Sequence, residues 1–363
     1  MGRLKRKRPH SFSNKFGILT AMMTILLYLW GCNDTASPKI SSIYINESDY
    51  DFGIISDSIN EVQHTFYIVN NTDDTCRITN IEKSCGCTKI DMDSYLVLPH
   101  DSTKFIVNLD IGSNYSFIEK DVNIYIEGCD SPLTLYLRAT RKVPQVLVKK
   151  EFPFRLSDNL RLSSQSALLG YAQHEQERIF SINLLNSSDK TKHLKLKSVM
   201  PDGFDVIYPS EIAPQEISRI VFTCKLKDTL WGEISFDCIF EDDNGITSPI
   251  KVYVIATEKF DKTKLTYPRI CVPITAYDSK VLNSSNCISF KFINVGQDTL
   301  FIRHIQNSDK NIKAYSDKKE CLPKDTCNVF VEVSNHYKIQ DDVIIGVTTN
   351  DKMEPYKQLR IIK

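Results

Sequence analysis

Apolar and polar residues alternate in short runs along most of this chain, the two-residue period of half-buried strands. Three runs share one layout. The first passes through Phe66 and Ile68 to Asn70, turns over the polar residues up to Asp74, and resumes at Cys76 and Ile78. The second passes through Ile182 and Leu184 to Asn186 and turns at Asp189. The third passes through Phe290 and Phe292 to Asn294, turns at Asp298, and resumes at Leu300 and Ile302. A second marker follows each Asn: Leu98-Pro99, Ala213-Pro214 and Leu322-Pro323, with each Pro 29, 28 and 29 residues beyond its Asn. Another alternating run follows each Pro.

Successive Asn residues lie 116 and 108 positions apart. That is too long for a solenoid repeat and suits immunoglobulin-like sandwiches of about 100 residues. The pattern predicts an all-β chain of three tandem immunoglobulin-like β-sandwich domains, over 43–143, 144–260 and 261–363. Each should place about seven strands in two facing antiparallel sheets. Charged linkers are expected near 141–148 and 258–266. No long amphipathic helical stretch is present.

The N-terminus departs from this pattern. Arg3 to Arg8 form a basic segment, and Phe16 to Leu29 form an apolar run short for a membrane span. Leu29-Trp30-Gly31-Cys32 then resembles the lipobox of bacterial lipoproteins. That resemblance implies a signal peptide over 1–31, lipidation of Cys32, and a tether over 32–42. It places the protein in the cell envelope, held to a membrane by lipid, with the outer membrane favoured and the periplasmic or surface side open.

Charge changes the picture once this segment is set aside. The chain holds 45 basic and 45 acidic side chains. Six of the basic ones and none of the acids fall in 1–31, leaving 39 against 45. A mildly acidic body argues against a nucleic-acid partner, which needs a basic footprint.

The one dense group of reactive side chains is Ser84-Cys85-Gly86-Cys87-Thr88. In a strand, Cys85 and Cys87 would share a face. Three readings stand: a structural pair, with one thiol bonded to Cys76 or Cys129; a Cu(I) or Zn site; or a redox-active Cys85–Cys87 disulfide. Elsewhere, Cys224 and Cys238 lie symmetrically about Trp231 on two runs that read as a hairpin, and Cys321 and Cys327 flank the Leu322-Pro323 turn. Both are candidate disulfides in an exported chain. The seven histidines are scattered without metal-ligand spacing, and the acidic pairs at Asp73, Asp242 and Asp341 fall in turns. No catalytic residue, metal site or cofactor is expected.

Asp51-Phe52-Gly53, His64-Thr65-Phe66, Asn70, Ser84-Cys85-Gly86-Cys87-Thr88 and Leu98-Pro99 together resemble the bacterial family of domain of unknown function 1573, over roughly residues 48–140. His100 stands where that family has Gly after Pro. The third copy looks like a diverged member with Asn307 to Asn311 in place of the thiols, and the second is more distant. The resemblance implies an immunoglobulin-like fold related in shape to major-sperm-protein-like domains, often behind a lipoprotein signal, and implies no established activity.

These observations lead to a non-enzymatic envelope lipoprotein whose domains bind or scaffold a protein or glycan partner. The alternative is a periplasmic thiol-redox or Cu/Zn-binding protein acting through Cys85 and Cys87.

Overall fold

The structure is a computed structural model, and it describes residues 42–112, 115–334 and 339–363. Cys32, Asn114 and His336 lie outside the described residues. The chain is all-β, apart from the short helices Val148–Glu151 and Ser279–Ser285. No helix among the described residues is long and apolar enough to cross a membrane.

Among the described residues the sheets pack as β-sandwiches, each around its own apolar cluster. In the first, strands Ile43–Ile45, Glu61–Asn70, Asp101–Asp110 and Thr88–Met92 form one sheet, in that order. The facing sheet runs Asp49–Ile55, Leu133–Arg141, Phe117–Ile126, Cys76–Lys83 and Leu96–Val97. Alternation decides which residues fill the space between. Phe66, Ile68, Phe105 and Val107 from one sheet meet Val122, Ile124, Leu135 and Leu137 from the other, all buried. Each such side chain contributes roughly 1.5–3 kcal/mol through removal from water.

The second and third sandwiches are built likewise on Glu177–Asn186 with Ile217–Lys225 and on Cys287–Asn294 with Thr326–Val333. Each encloses its own buried apolar cluster. The sheets are not purely antiparallel. Asp49–Ile55 runs parallel to Leu133–Arg141, Ser166–Gln173 to Ile250–Thr257, and Ala276–Asp278 to Tyr356–Ile362. In each case an early strand crosses to the facing sheet and pairs with the sandwich's last strand, which runs the same way.

The Asn-to-Pro spacing has a physical cause. Asn70, Asn186 and Asn294 are fully buried. The Asn70 amide donates to the carbonyls of Asp74, Val97 and Leu98 at 2.8, 3.0 and 3.1 Å. Asn186 repeats this on Lys190, Ile212 and Ala213 at 2.7, 3.0 and 3.0 Å. Asn294 does so on Asp298 and Cys321, both at 2.8 Å. One side chain thus ties its own turn to the segment before the Pro. The next turn closes by Asp101, Glu216 and Asp325 amides on Leu98, Ala213 and Leu322 carbonyls. Its third residue is left-handed in every copy: His100, Gln215 and Lys324 at φ 55°, 63° and 68°. That conformation favours Gly.

The two junctions are packed. The segment expected as a charged linker near 141–148 buries Val143 and Val148 with Phe152, Leu185 and Ile217, against Tyr115 and Phe117 of the first sandwich. Thr140 donates its hydroxyl to the Ile217 carbonyl at 3.3 Å. Arg219 pairs with Glu119 and lies over the Phe117 ring, 4.6 Å from its centroid. At the second junction, Glu233 exchanges two bonds with the Gln306 side chain: its amide donates at 2.8 Å and its carbonyl accepts at 3.1 Å. Its carboxylate accepts from the Tyr356 hydroxyl at 3.1 Å. Gly232 makes this approach possible, because the Gln306 side chain fills the place of its missing Cβ.

Candidate functional site: the Cys85–Cys87 loop

The loop is a crossing between sheets, so Cys85 and Cys87 do not lie within a strand. Strand Cys76–Lys83 belongs to one sheet of the first sandwich and strand Thr88–Met92 to the other. Four residues make the passage. Ser84 fixes its start: its amide donates to the Asp121 carbonyl at 3.0 Å, and its hydroxyl accepts from the Asp121 amide at 3.0 Å. The far side is fixed by the Asp110 amide, which donates to the Cys87 carbonyl at 2.9 Å, and by Thr88, which is fully buried. Gly86 is exposed, with nothing near the position of a Cβ.

Cys85 and Cys87 are joined by a disulfide, their Cα atoms 5.3 Å apart. The two sulfurs differ in surroundings. The Cys87 amide donates to Cys85 Sγ at 2.9 Å. Cys87 packs against the buried cluster of Ile55, Leu109, Ile111, Ile118 and Ala139. Both cysteines are half-buried. In this bridged form neither sulfur is a thiolate. Among the described residues, no group of three or more His, Cys, Asp or Glu side chains is placed to hold a metal ion.

The expectation that one of these thiols pairs with Cys76 or Cys129 does not hold. Cys76 begins the eight-residue strand that ends just before the loop, so it lies about 25 Å away at roughly 3.3 Å per residue. Cys76 and Cys129 are instead free and near each other, at the opposite end of the sandwich. Burial pushes Cys76 up to about 11, with Cys129 adding to it.

The candidate disulfide Cys224–Cys238 is also absent, because the hairpin behind it does not form. Ile217–Lys225 pairs in one sheet and Gly232–Cys238 in the other. Cys224 sits opposite Arg178, at the end where Gly232 begins its strand, while Cys238 sits opposite Ile250 at the other end. Both are free and buried, and burial pushes them up to about 11 and about 12. Cys321 and Cys327 are free too, yet adjacent: Cys321 pairs with Leu300 and Cys327 with Phe292, on facing sheets. Burial, then the neighbouring Cys321, pushes Cys327 up to about 12.

The histidines have local roles. His64 stacks on Tyr50 with ring centroids 3.8 Å apart and pairs with Glu47 at 3.2 Å. His174 is buried, bonds the Leu230 carbonyl at 2.7 Å and meets Trp231 edge-on. His100 and His193 pair with Asp73 and Asp243.

The protein is thus of the all-β sandwich class, with a bridged Cys-x-Cys crossing in its first unit. Residues 43–141 match the family described as a protein of unknown function, DUF1573. No curated protein matches the chain. Among solved structures, a protein of unknown function from Porphyromonas gingivalis W83 is 13% identical with a TM-score of 0.40, over 56% of this chain and 98% of that one. The Caenorhabditis elegans major-sperm-protein family member WR4 is 12% identical with a TM-score of 0.21, over 28% of this chain and all of that one. A titin I67–I69 fragment is 8% identical with a TM-score of 0.19, over 88% of this chain and 98% of that one. None of these likenesses bears on function.

Proposed function

We propose that this chain is a non-enzymatic, lipid-anchored binding module of the cell envelope, in which three immunoglobulin-like sandwiches hold a protein or glycan partner at a set distance from the membrane. The observation that carries this reading is the pair of packed junctions. Five buried apolar residues at the first and the Glu233–Gln306–Tyr356 bonds at the second make a fixed unit rather than beads on a string. A fixed unit suits presentation of a surface. The outer side of strand Thr88–Met92 is unpaired among the described residues, and sandwich domains commonly take partners by adding a strand to such an edge. The lipobox at Cys32 supplies the address.

Photo-crosslinking in intact cells, with the probe at exposed Asp91 of that edge, tests the reading. A discrete adduct that disappears in the Cys32→Ser chain is expected. Turnover of a substrate by the purified chain, or no adduct from a probe at Asp91 or on the other two sandwiches, removes it.

A second reading is favoured by one observation, the half-buried Cys85–Cys87 disulfide. Such a pair can exchange with thiols and disulfides of exported proteins.

A further inference from the structure

We propose that Cys85 is the attacking thiol and Cys87 the resolving thiol of a thiol–disulfide exchange site whose substrates are disulfides of other exported proteins. The proposal rests on the second reading above and assigns the two sulfurs their roles.

Two independent features set the sulfurs apart. The backbone amide of Cys87 points at Cys85 Sγ, 2.9 Å away. A hydrogen bond to the charged form stabilises a thiolate, so this donor favours Cys85 as the attacking sulfur. The donor belongs to the backbone and persists whatever side chain stands at 87. Cys87 instead rests on Leu109, Ile111, Ile118 and Ala139. An apolar wall disfavours a thiolate at that sulfur. The Thr88 hydroxyl lies 3.9 Å from it. The framework holds both in place: Ser84 is bonded to Asp121 on one side of the loop and Cys87 to Asp110 on the other. Exposed Ser84 and Gly86 flank Cys85, so a substrate reaches its sulfur along the open rim of the crossing.

The steps balance. A dithiol donor first reduces the Cys85–Cys87 bond, giving two thiols and leaving the donor as a disulfide. Cys85 then loses its proton, and its thiolate attacks one sulfur of the substrate disulfide. The substrate bond breaks, one substrate thiolate leaves and takes up a proton, and a mixed disulfide forms at Cys85. Cys87 loses its proton and attacks Cys85 Sγ. The bond of the observed structure re-forms and the second substrate thiol departs. Two electrons pass from the chain to the substrate.

The test uses full chains carrying Cys85→Ser or Cys87→Ser, reduced, freed of reductant, and mixed with oxidised glutathione across pH. The tryptic peptide 84–89, cut after Lys83 and Lys89, isolates this site from the other cysteines. In Cys87→Ser, glutathione is expected to accumulate on Cys85, with a pH midpoint about one unit below that of Cys87 in Cys85→Ser. At neutral pH this makes Cys85 roughly threefold faster, because the tenfold gain in thiolate is partly offset by lower nucleophilicity. The wild type should release glutathione and close the bond again. Reversed midpoints, or a wild type that retains glutathione, overturn the assignment while leaving exchange itself standing. If neither variant reacts faster than the unfolded chain, the exchange reading falls and the assignment with it.

Discussion

The amide of Asn70 donates to the carbonyl of Val97 at 3.0 Å from a fully buried position, across 27 residues of chain. Its oxygen is equally engaged, accepting from the Thr72 amide at 3.0 Å and the Thr72 hydroxyl at 2.6 Å. Asn186 and Ser188 repeat the arrangement in the second sandwich.

Loss of this side chain should be costly. Asn70→Ala leaves buried carbonyls without a donor, at roughly 1–3 kcal/mol for each unsatisfied group. Urea unfolding should show a destabilisation of at least about 2 kcal/mol, and the same for Asn186→Ala. Asn71→Ala, at an exposed neighbour, should stay within about 0.5 kcal/mol. Equal midpoints for Asn70→Ala and Asn71→Ala would show that the clamp is incidental.

The left-handed residue after each Pro gives a prediction of opposite sign. His100→Gly and Lys324→Gly relieve a conformation that costs a non-Gly residue about 1 kcal/mol, and each should stabilise by up to that amount. Gln215→Gly should not, because the Gln215 side chain donates to the carbonyls of Ser187 and Ser188 at 3.1 and 2.8 Å. Thermal melts of the three variants decide the matter; a gain at all three would contradict the role given to Gln215.

Buried thiols set the alkaline limit. Burial holds Cys238 and Cys327 up at about 12 and Cys76 and Cys224 at about 11, against an ordinary value of 9.0. Below pH 9 all are protonated, folded or unfolded, and the contribution is fully present. Above it the unfolded chain loses these protons while the folded chain keeps them. Stability should therefore fall as pH rises from about 9 towards 12. Iodoacetamide labelling at pH 9 should modify exposed Cys271 and spare these four while the chain is folded. Rapid native labelling of Cys238 would contradict the assignment.

The first junction should be held by packing more than by charge. Leu185 is buried, and Leu185→Ala should cost roughly 2–5 kcal/mol. Arg219→Ala removes an ion pair with both partners about a third to a half exposed, and should cost no more than about 1 kcal/mol. Denaturant midpoints separate the two, and a larger loss at Arg219 would reverse the order.

How far the sequence revealed all this depends on the period of the signal. Alternation marks which residues of Glu61–Asn70 and Asp101–Asp110 face inward, because side-chain direction repeats every second residue. The repeated spacing between Asn70 and Pro99 likewise reflects a contact that exists in the structure. Alternation does not say which sheet a strand joins. That is why Cys224 and Cys238 read as partners across a hairpin. The junctions were hidden for a different reason. Glu119 and Arg219 are a hundred residues apart, and Gly232 reveals its role only once Gln306 lies against it. A glycine opening a strand is the one local sign of such a close approach.

Small-angle X-ray scattering from residues 42–363 decides whether the three sandwiches form one fixed unit. A profile fitted by this single arrangement is expected, unchanged between low and high salt because apolar packing and half-buried hydrogen bonds hold the junctions. A profile that needs a broad ensemble of inter-sandwich orientations, or one that expands with salt, would contradict it.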